Sequence, residues 1–290
     1  MDENKRDLIN EIQKRFSELS KSQKLIAQYI IENYDKAAFM TASKLAGKVG
    51  VSESTVVRFA NALGLDGYPQ LQRGLEEVIR TKLTTVQRVE MAGEYSDGGL
   101  VLKKVLGADI DNIRVTLENI DYETFQQVIN KICEAEKIYI VGLRSSMAIA
   151  DYFGFYLNLI LDNVKIVHHG ISNIFEQVFR VSKTDIVIGI GFPRYSMQTV
   201  DALSYVKEQG VTIVGITDSL LSPIANLADY TLTAKSNMAS FVDSLVAPLS
   251  LINALIVAIG MCEKEKITEH FNTLEGIWKK YNVYQGRNQG

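Results

Sequence analysis

Three stretches of the sequence end an apolar run in hydroxyl groups. KIYIVG (137–142) runs into Leu143, Arg144, Ser145 and Ser146, and DIVIGIGF (185–192) into Pro193, Arg194, Tyr195 and Ser196, with Thr199 three residues on. VTIVGIT (211–217) ends on Asp218 and Ser219, with Ser222 beyond. A strand, a turn and then serines opening a helix bring hydroxyls and free backbone amides to one positively polarised end, which is chemistry for holding an anion. Arg144 and Arg194 add guanidinium forks able to neutralise it. Serine is also a common helix cap, so any one of these loops alone reads as capping. Their coincidence at three strand ends favours a cradle for a phosphate and several hydroxyls, with Arg144, Ser145, Ser146, Arg194, Ser196, Thr199 and Ser219 as ligand-binding candidates.

Catalytic chemistry is not expected from the remaining polar residues. An aldose–ketose isomerisation needs a tuned base, and His168, His169 and Glu176 follow the run VKIVHH (164–169). Two adjacent histidines there read instead as a strand-end pair, and no nucleophile–base set accompanies them. The 2 cysteines, Cys133 and Cys262, form no CxxC, and with the 3 histidines they give no metal-ligand spacing, so no metal is expected. GLRSSM (142–147) fails the G-x-G-x-x-G dinucleotide pattern and no GxxxxGK[ST] occurs, so no nucleotide cofactor is expected either.

The elements that position the hydroxyls form an α/β pattern. Five short apolar runs (137–142, 164–169, 185–192, 211–217 and 228–233) alternate with stretches of helical length such as Ser146–Leu161 and Ser196–Gln209. Continuous apolar strands separated by helices predict a doubly wound parallel sheet covered on both faces, which binds ligands at the carboxyl ends of its strands. The first 80 residues instead carry only helical spacing, as in Ile26, Tyr29 and Ile30 or Val56, Phe59, Ala60 and Leu63. The division expected is an all-helical domain over 1–80, a polar, glycine-bearing linker over 81–107, and the α/β domain over 108–290.

In the head, Leu45, Ala46 and Val49 give a short helix its inner face, Gly50 supplies a left-handed stop, and Val51 plugs the corner. Ser52 stands as the N-cap of a second helix, Glu53 to Leu63, whose inner face is Val56, Phe59, Ala60 and Leu63. Its outer face presents Glu53, Ser54, Arg58 and Asn61, with Thr55 in the first turn: short polar groups and one guanidinium, suited to phosphates and base edges. Spacing alone would equally allow a helical hairpin with a solvated face.

The order of residues is more particular. LAGKVGVSESTVVRFANALGLDGYPQL (45–71), with SQKLIAQYIIENYDKAAFMTASKLA upstream, resembles the N-terminal helix-turn-helix of the RpiR family of bacterial transcriptional regulators. The resemblance implies binding of double-stranded operator DNA through the helix after Ser52. Thr55 and Arg58 match the family's recurrent Thr and Arg as phosphate contacts, and Glu53, Ser54 and Asn61 stand where bases would be read. Glu53 can accept from cytosine N4 or simply favour the helix N-terminus, the second being the preferred reading. The second half resembles the sugar isomerase (SIS) domain, the usual partner of this head: TDSLLSPIANLADYTL (217–232) matches closely, and VGLRSSMAIADYF (141–153) matches its first phosphate loop. Arg144 stands where the family often has a second glycine, and Tyr195-Ser196-Met197-Gln198-Thr199 replaces a Ser-Gly-x-Thr loop. The implied protein is a non-enzymatic regulator whose SIS domain senses an anionic sugar, a sugar phosphate or a sugar acid; the alternative is a sugar-phosphate isomerase with an accessory DNA-binding head.

Composition agrees with two globular domains: 290 residues, 47% hydrophobic and 22% charged, exclude a disordered or fibrous chain. Net charge is −3, so attraction to a polyanion must be local. Residues 1–80 hold 12 Lys+Arg against 11 Asp+Glu, while Lys21–Arg58 holds six against three. MDENKRDLIN has no apolar h-region, which predicts no secretory signal, and two distant cysteines suit a reducing cytoplasm. Ser244–Met261 is uncharged over 18 residues but contains Pro248, Ser250 and Asn253, and reads as a buried or interface helix rather than a membrane span. A helix-turn-helix reading two half-sites predicts a homodimer or homotetramer.

Overall fold

The apolar runs of the second half become strands because the central ones place nearly every residue in a core on one side of the sheet or the other, while the edge strands are only partly buried. In the computed structural model, β1 is Ile138–Val141, β2 Val164–Val167, β3 Ile186–Ile190, β4 Thr212–Thr217 and β5 Tyr230–Thr233. All pair in parallel in the order β2-β1-β3-β4-β5. Side chains alternate across it: Ile138, Ile140, Ile186, Ile188, Val214 and Ile216 enter one core, and Tyr139, Val141, Val187 and Ile213 the other. The structure describes residues 8–38, 40–82, 86, 89, 98–168, 170, 172–238, 242–262 and 264–284.

The chain forms two compact units, Met1–Glu94 and Tyr95–Gly290. In the first, described helices are α1 (Leu8–Arg15), α2 (Lys21–Glu32), α3 (Tyr34–Ala37), α4 (Ala42–Val49), α5 (Glu53–Ala62) and α6 (Tyr68–Lys82). Ser20 and Gln23 close a capping box on α2, and the Thr41 hydroxyl accepts from the Lys44 amide on α4. Ile12, Ile26, Ile30, Leu45, Phe59, Leu71 and Leu75 are wholly buried between these helices. Tyr68 donates its hydroxyl to the Met40 carbonyl at 2.7 Å, and burial pushes its phenol up to about 12.

In the second unit, α7 (Gly98–Asn119), α8 (Tyr122–Glu134), α9 (Ser146–Ile160), α10 (Ile174–Val178), α11 (Met197–Glu208), α12 (Val246–Cys262) and α13 (Lys264–Tyr281) surround the sheet. Two glycines permit close packing on the strands. A Cβ at Gly154 of α9 would collide with the Ile166 side chain, and one at Gly189 of β3 with the Leu203 side chain of α11.

The expected linker over 81–107 needs correction. Helix α6 runs to Lys82 and α7 already begins at Gly98, while 83–85, 87–88 and 90–97 lie outside the described residues. The glycines at 98 and 99 suggest a loop, but the body of α7 is anchored downstream. Asn112 donates to the Asn237 carbonyl (2.9 Å) and accepts from its amide (3.1 Å), and Ser244 donates to Asp109. Helix growth from such an anchor adds a hydrogen bond per residue and carries through the glycines.

The uncharged run at 244–261 is α12, with Ala247, Leu251, Ile252, Leu255 and Ile259 buried and Pro248 in its first turn, where its missing amide costs nothing. Among the described residues no single helix is long and apolar enough to cross a membrane.

Candidate functional site

Strands β1 and β3 are hydrogen-bonded neighbours, with Val141 level with Gly189, yet the chain leaves them in opposite directions. After β1 it crosses through α9 to β2 on one side, and after β3 through α11 to β4 on the other. The two loops therefore part at the carboxyl edge of the sheet, the place where open parallel sheets form a binding crevice. Six of the seven ligand-binding candidates sit there: Arg144, Ser145 and Ser146 entering α9, and Arg194, Ser196 and Thr199 entering α11.

The helix caps differ in whether the cap side chain is bonded. Ser20, Thr41, Ser52, Asp121 and Asn173 each accept a hydrogen bond from a first-turn amide of their helix. Ser145 and Ser196, the N-caps of α9 and α11, make no such bond. Ser146 is 4% exposed and Thr199 1% exposed, and the Thr199 Oγ1 is buried with no hydrogen-bond partner. A desolvated hydroxyl left unpaired costs about 1–3 kcal/mol.

Two side chains that sequence reasoning left out of the site shape it. Tyr195 donates its hydroxyl to Asp218 Oδ1 at 2.6 Å, tying the loop after β3 to the end of β4. Asp218 is 1% exposed and also takes the Thr217 hydroxyl at 3.3 Å. A separation of 23 residues offers no periodic signal from which this pair could be read. Ser219 plays a more local part. Its hydroxyl accepts from the Leu221 amide (3.1 Å) and closes a turn, while Ser222 caps the next one through the Ala225 amide (3.0 Å). The third strand end thus supports the site through Asp218 more than through its serines.

At the end of β2, Gln177 brackets the His168 backbone, accepting from its amide (3.1 Å) and donating to its carbonyl (2.7 Å). The His168 Nδ1 lies 3.3 Å from Asp151 Oδ1 on α9, without the alignment of a hydrogen bond. Glu176 is a cap residue: its carboxylate accepts from the Asn173 amide at the start of α10. His169 lies outside the described residues.

In the first unit, α4 ends at Gly50, whose φ of 77° is the left-handed stop, with the Gly50 and Val51 amides both donating to the Ala46 carbonyl. The Ser52 hydroxyl accepts from the Thr55 amide (3.3 Å) and bonds to the hydroxyls of Ser54 (2.9 Å) and Thr55 (2.8 Å). Val56, Phe59 and Ala60 of α5 are buried, whereas Glu53, Ser54, Arg58 and Asn61 are exposed and Thr55 partly so. The exposed face carries hydrogen-bond donors, acceptors and one guanidinium. The Glu53 carboxylate lies in the first turn of α5, where the helix dipole favours it.

Comparison with known proteins matches this architecture. The helix-turn-helix domain model of the rpiR family matches residues 6–82, and the SIS domain model residues 131–258. An uncharacterised HTH-type transcriptional regulator of Haemophilus influenzae is 26% identical over 235 residues, covering 78% of this chain and 79% of that one. The HTH-type transcriptional regulator HexR of Pseudomonas aeruginosa is 21% identical over 88% of this chain and 90% of its own. Among solved structures, the sugar isomerase domain of an RpiR transcription factor from Sphaerobacter thermophilus is 29% identical (TM-score 0.57), covering 59% of this chain and 96% of that one. The Vibrio vulnificus NanR protein complexed with ManNAc-6P shares the fold at 20% identity, TM-score 0.59, over 96% of this chain and 100% of that one.

Proposed function

The chain belongs to the rpiR family of helix-turn-helix transcriptional regulators with an SIS domain, and on that premise we propose that it binds operator DNA through α5 and an anionic sugar at the β1–β3 crevice. The observation that carries the ligand reading is the state of the hydroxyls. Ser145 and Ser196 leave their helix ends uncapped, and Thr199 holds a buried oxygen without a partner. A phosphate at those helix ends takes hydrogen bonds from Ser145, Ser146, Ser196, Thr199 and the first-turn amides together. The NanR protein of the same fold, complexed with ManNAc-6P, supports a phosphorylated sugar as the ligand class. Ser219, after β4 at the same carboxyl edge of the sheet, is the remaining candidate contact, and Arg144 and Arg194 carry positive charge on the loops after β1 and β3. Binding requires no cofactor, metal or catalytic residue.

The regulator acts as a homodimer or homotetramer in the cytoplasm. A helix-turn-helix pairs with a second copy to read half-sites about 34 Å apart. Helices α7 and α12 carry the surface for it: Leu102, Leu106, Ile110, Leu117, Val257 and Met261 are each more than half exposed. Apolar area of that kind belongs to an interface.

A thermal-shift panel of sugar phosphates and sugar acids tests the ligand reading. A true effector at 100 times its dissociation constant stabilises the folded protein by about 2.7 kcal/mol. A panel in which none shifts the melting of the second unit overturns it. On the DNA side, Arg58→Ala should weaken binding to operator and unrelated DNA alike and flatten the salt dependence of log K by about one unit, the signature of one lost phosphate contact. Ser54→Ala and Asn61→Ala should alter base preference instead. Unchanged operator affinity in Arg58→Ala, read by fluorescence anisotropy across a salt series, removes α5 from the interface.

A further inference from the structure

One residue on the outer face of α5 does not share the chemistry of the rest. Val56 and Phe59 are wholly buried, whereas Val57 is 37% exposed. At 3.6 residues per turn, Ser54, Val57, Arg58 and Asn61 stand at i, i+3, i+4 and i+7 and share the helix face opposite the buried Val56, Phe59 and Ala60. A solitary exposed valine is ordinary on a protein surface, and exposure alone would carry nothing. Val57 is set apart by its neighbours, the hydroxyl, guanidinium and carboxamide of the face read above as meeting DNA. The inner face of α5 is filled without it. Helix stability does not call for it either, because a β-branched side chain is a weaker helix former than alanine or a straight-chain polar residue.

In the major groove every base pair offers hydrogen-bonding groups, and thymine alone adds an apolar one, its C5 methyl. Ser54 and Asn61 can pair with polar base edges, but neither gives that methyl an apolar partner. Val57 has two methyl groups to give. It also lies in the N-terminal half of α5, and the N-terminal residues of a recognition helix are those that reach base edges. We infer that Val57 is a specificity-determining residue that reads thymine, its methyl groups covering the thymine C5 methyl and removing both from water. The operator accordingly carries a thymine within the stretch contacted by Ser54 and Asn61. This rests on the reading of α5 as the helix that enters the groove.

Replacing thymine by deoxyuridine deletes the methyl and leaves every hydrogen-bonding group in place. The probe is the tightest duplex that the full-length protein selects from random-sequence DNA, remade with each thymine changed singly to deoxyuridine and titrated by fluorescence anisotropy. One position in the half-site should lose about fourfold in affinity, the effect of one buried methyl group. Val57→Ala should bind the thymine and deoxyuridine duplexes equally at that position without a lower melting temperature. Arg58→Ala should weaken both duplexes and keep their ratio, since a phosphate contact carries no base information. A duplex in which no thymine methyl matters overturns this inference and leaves α5 in the groove, as does the same thymine-to-deoxyuridine ratio in Val57→Ala as in the unaltered protein. Affinity for the selected duplex that changes in neither Val57→Ala nor Arg58→Ala overturns the reading of α5 as well.

Discussion

Phe59→Ala should abolish operator binding by unfolding the first unit while leaving the second able to bind its ligand. Phe59 is wholly buried on the inner face of α5, the face opposite Arg58 and Asn61. Removing a buried phenylalanine ring costs about 3–5 kcal/mol, from lost transfer energy and the cavity left behind. A helical domain of this size has about 4–11 kcal/mol in total, at 0.05–0.15 kcal/mol per residue. The substitution therefore takes a large part of its stability and should lower its melting temperature by about 15 °C or more. Calorimetry of the full chain resolves the consequence. The transition of the first unit should move or vanish, and that of the second should stay and still shift with ligand. Arg58→Ala gives the contrast, because its side chain is exposed and only DNA affinity should change. A first-unit transition that moves by less than about 5 °C in Phe59→Ala would show a core able to close over the gap, and the ring's placement would then not be what holds α5 in position.

The strands and the turn were legible in the sequence for the same reason: local residue type there decides local conformation. A strand buried on both faces reads as an unbroken apolar run, and KIYIVG contains β1 with one residue to spare at each end. In the head, Gly50 accepts the left-handed φ that few other residues accept, and Ser52 caps in the manner its chemistry suggests. The crevice was legible only in part. Serine before a helix is ambiguous between cap and ligand donor, and sequence alone could not show that Ser145 and Ser196 make no side-chain cap bond while Ser52 does. Positive φ at Arg144 and Arg194 cannot be read from an arginine codon by codon, since the residue disfavours the state it occupies. The Tyr195–Asp218 bond depends on β3 and β4 lying side by side, which a linear pattern predicts only as a topology. The start of α7 was hidden by two glycines that its distant anchors at Asn237 and Ser244 outweigh.

Thr199→Val and Ser146→Ala should separate ligand binding from stability most sharply, because the first should move the two in opposite directions. Valine has nearly the shape of threonine, so Thr199→Val removes the hydroxyl with little change in packing. That hydroxyl is buried without a hydrogen-bond partner, and its loss should raise stability by up to about 1–3 kcal/mol, the cost of an unsatisfied buried group. The same change should weaken ligand binding about tenfold or more, since a hydrogen bond to a charged group is worth about 1.5–3 kcal/mol. Ser146 is the first residue of α9 rather than its cap, so alanine there leaves helix stability nearly unchanged while removing a second donor. Operator affinity without ligand should survive both substitutions, because α5 belongs to the other unit. Differential scanning fluorimetry of the unliganded protein and titration with a phosphorylated sugar from the panel measure the two quantities separately. If Thr199→Val lowers the melting temperature and leaves ligand affinity where it was, the hydroxyl supports the fold and the cradle at the β1–β3 crevice is wrong. If stability rises as affinity falls, the unpaired oxygen is held for the ligand's anionic group.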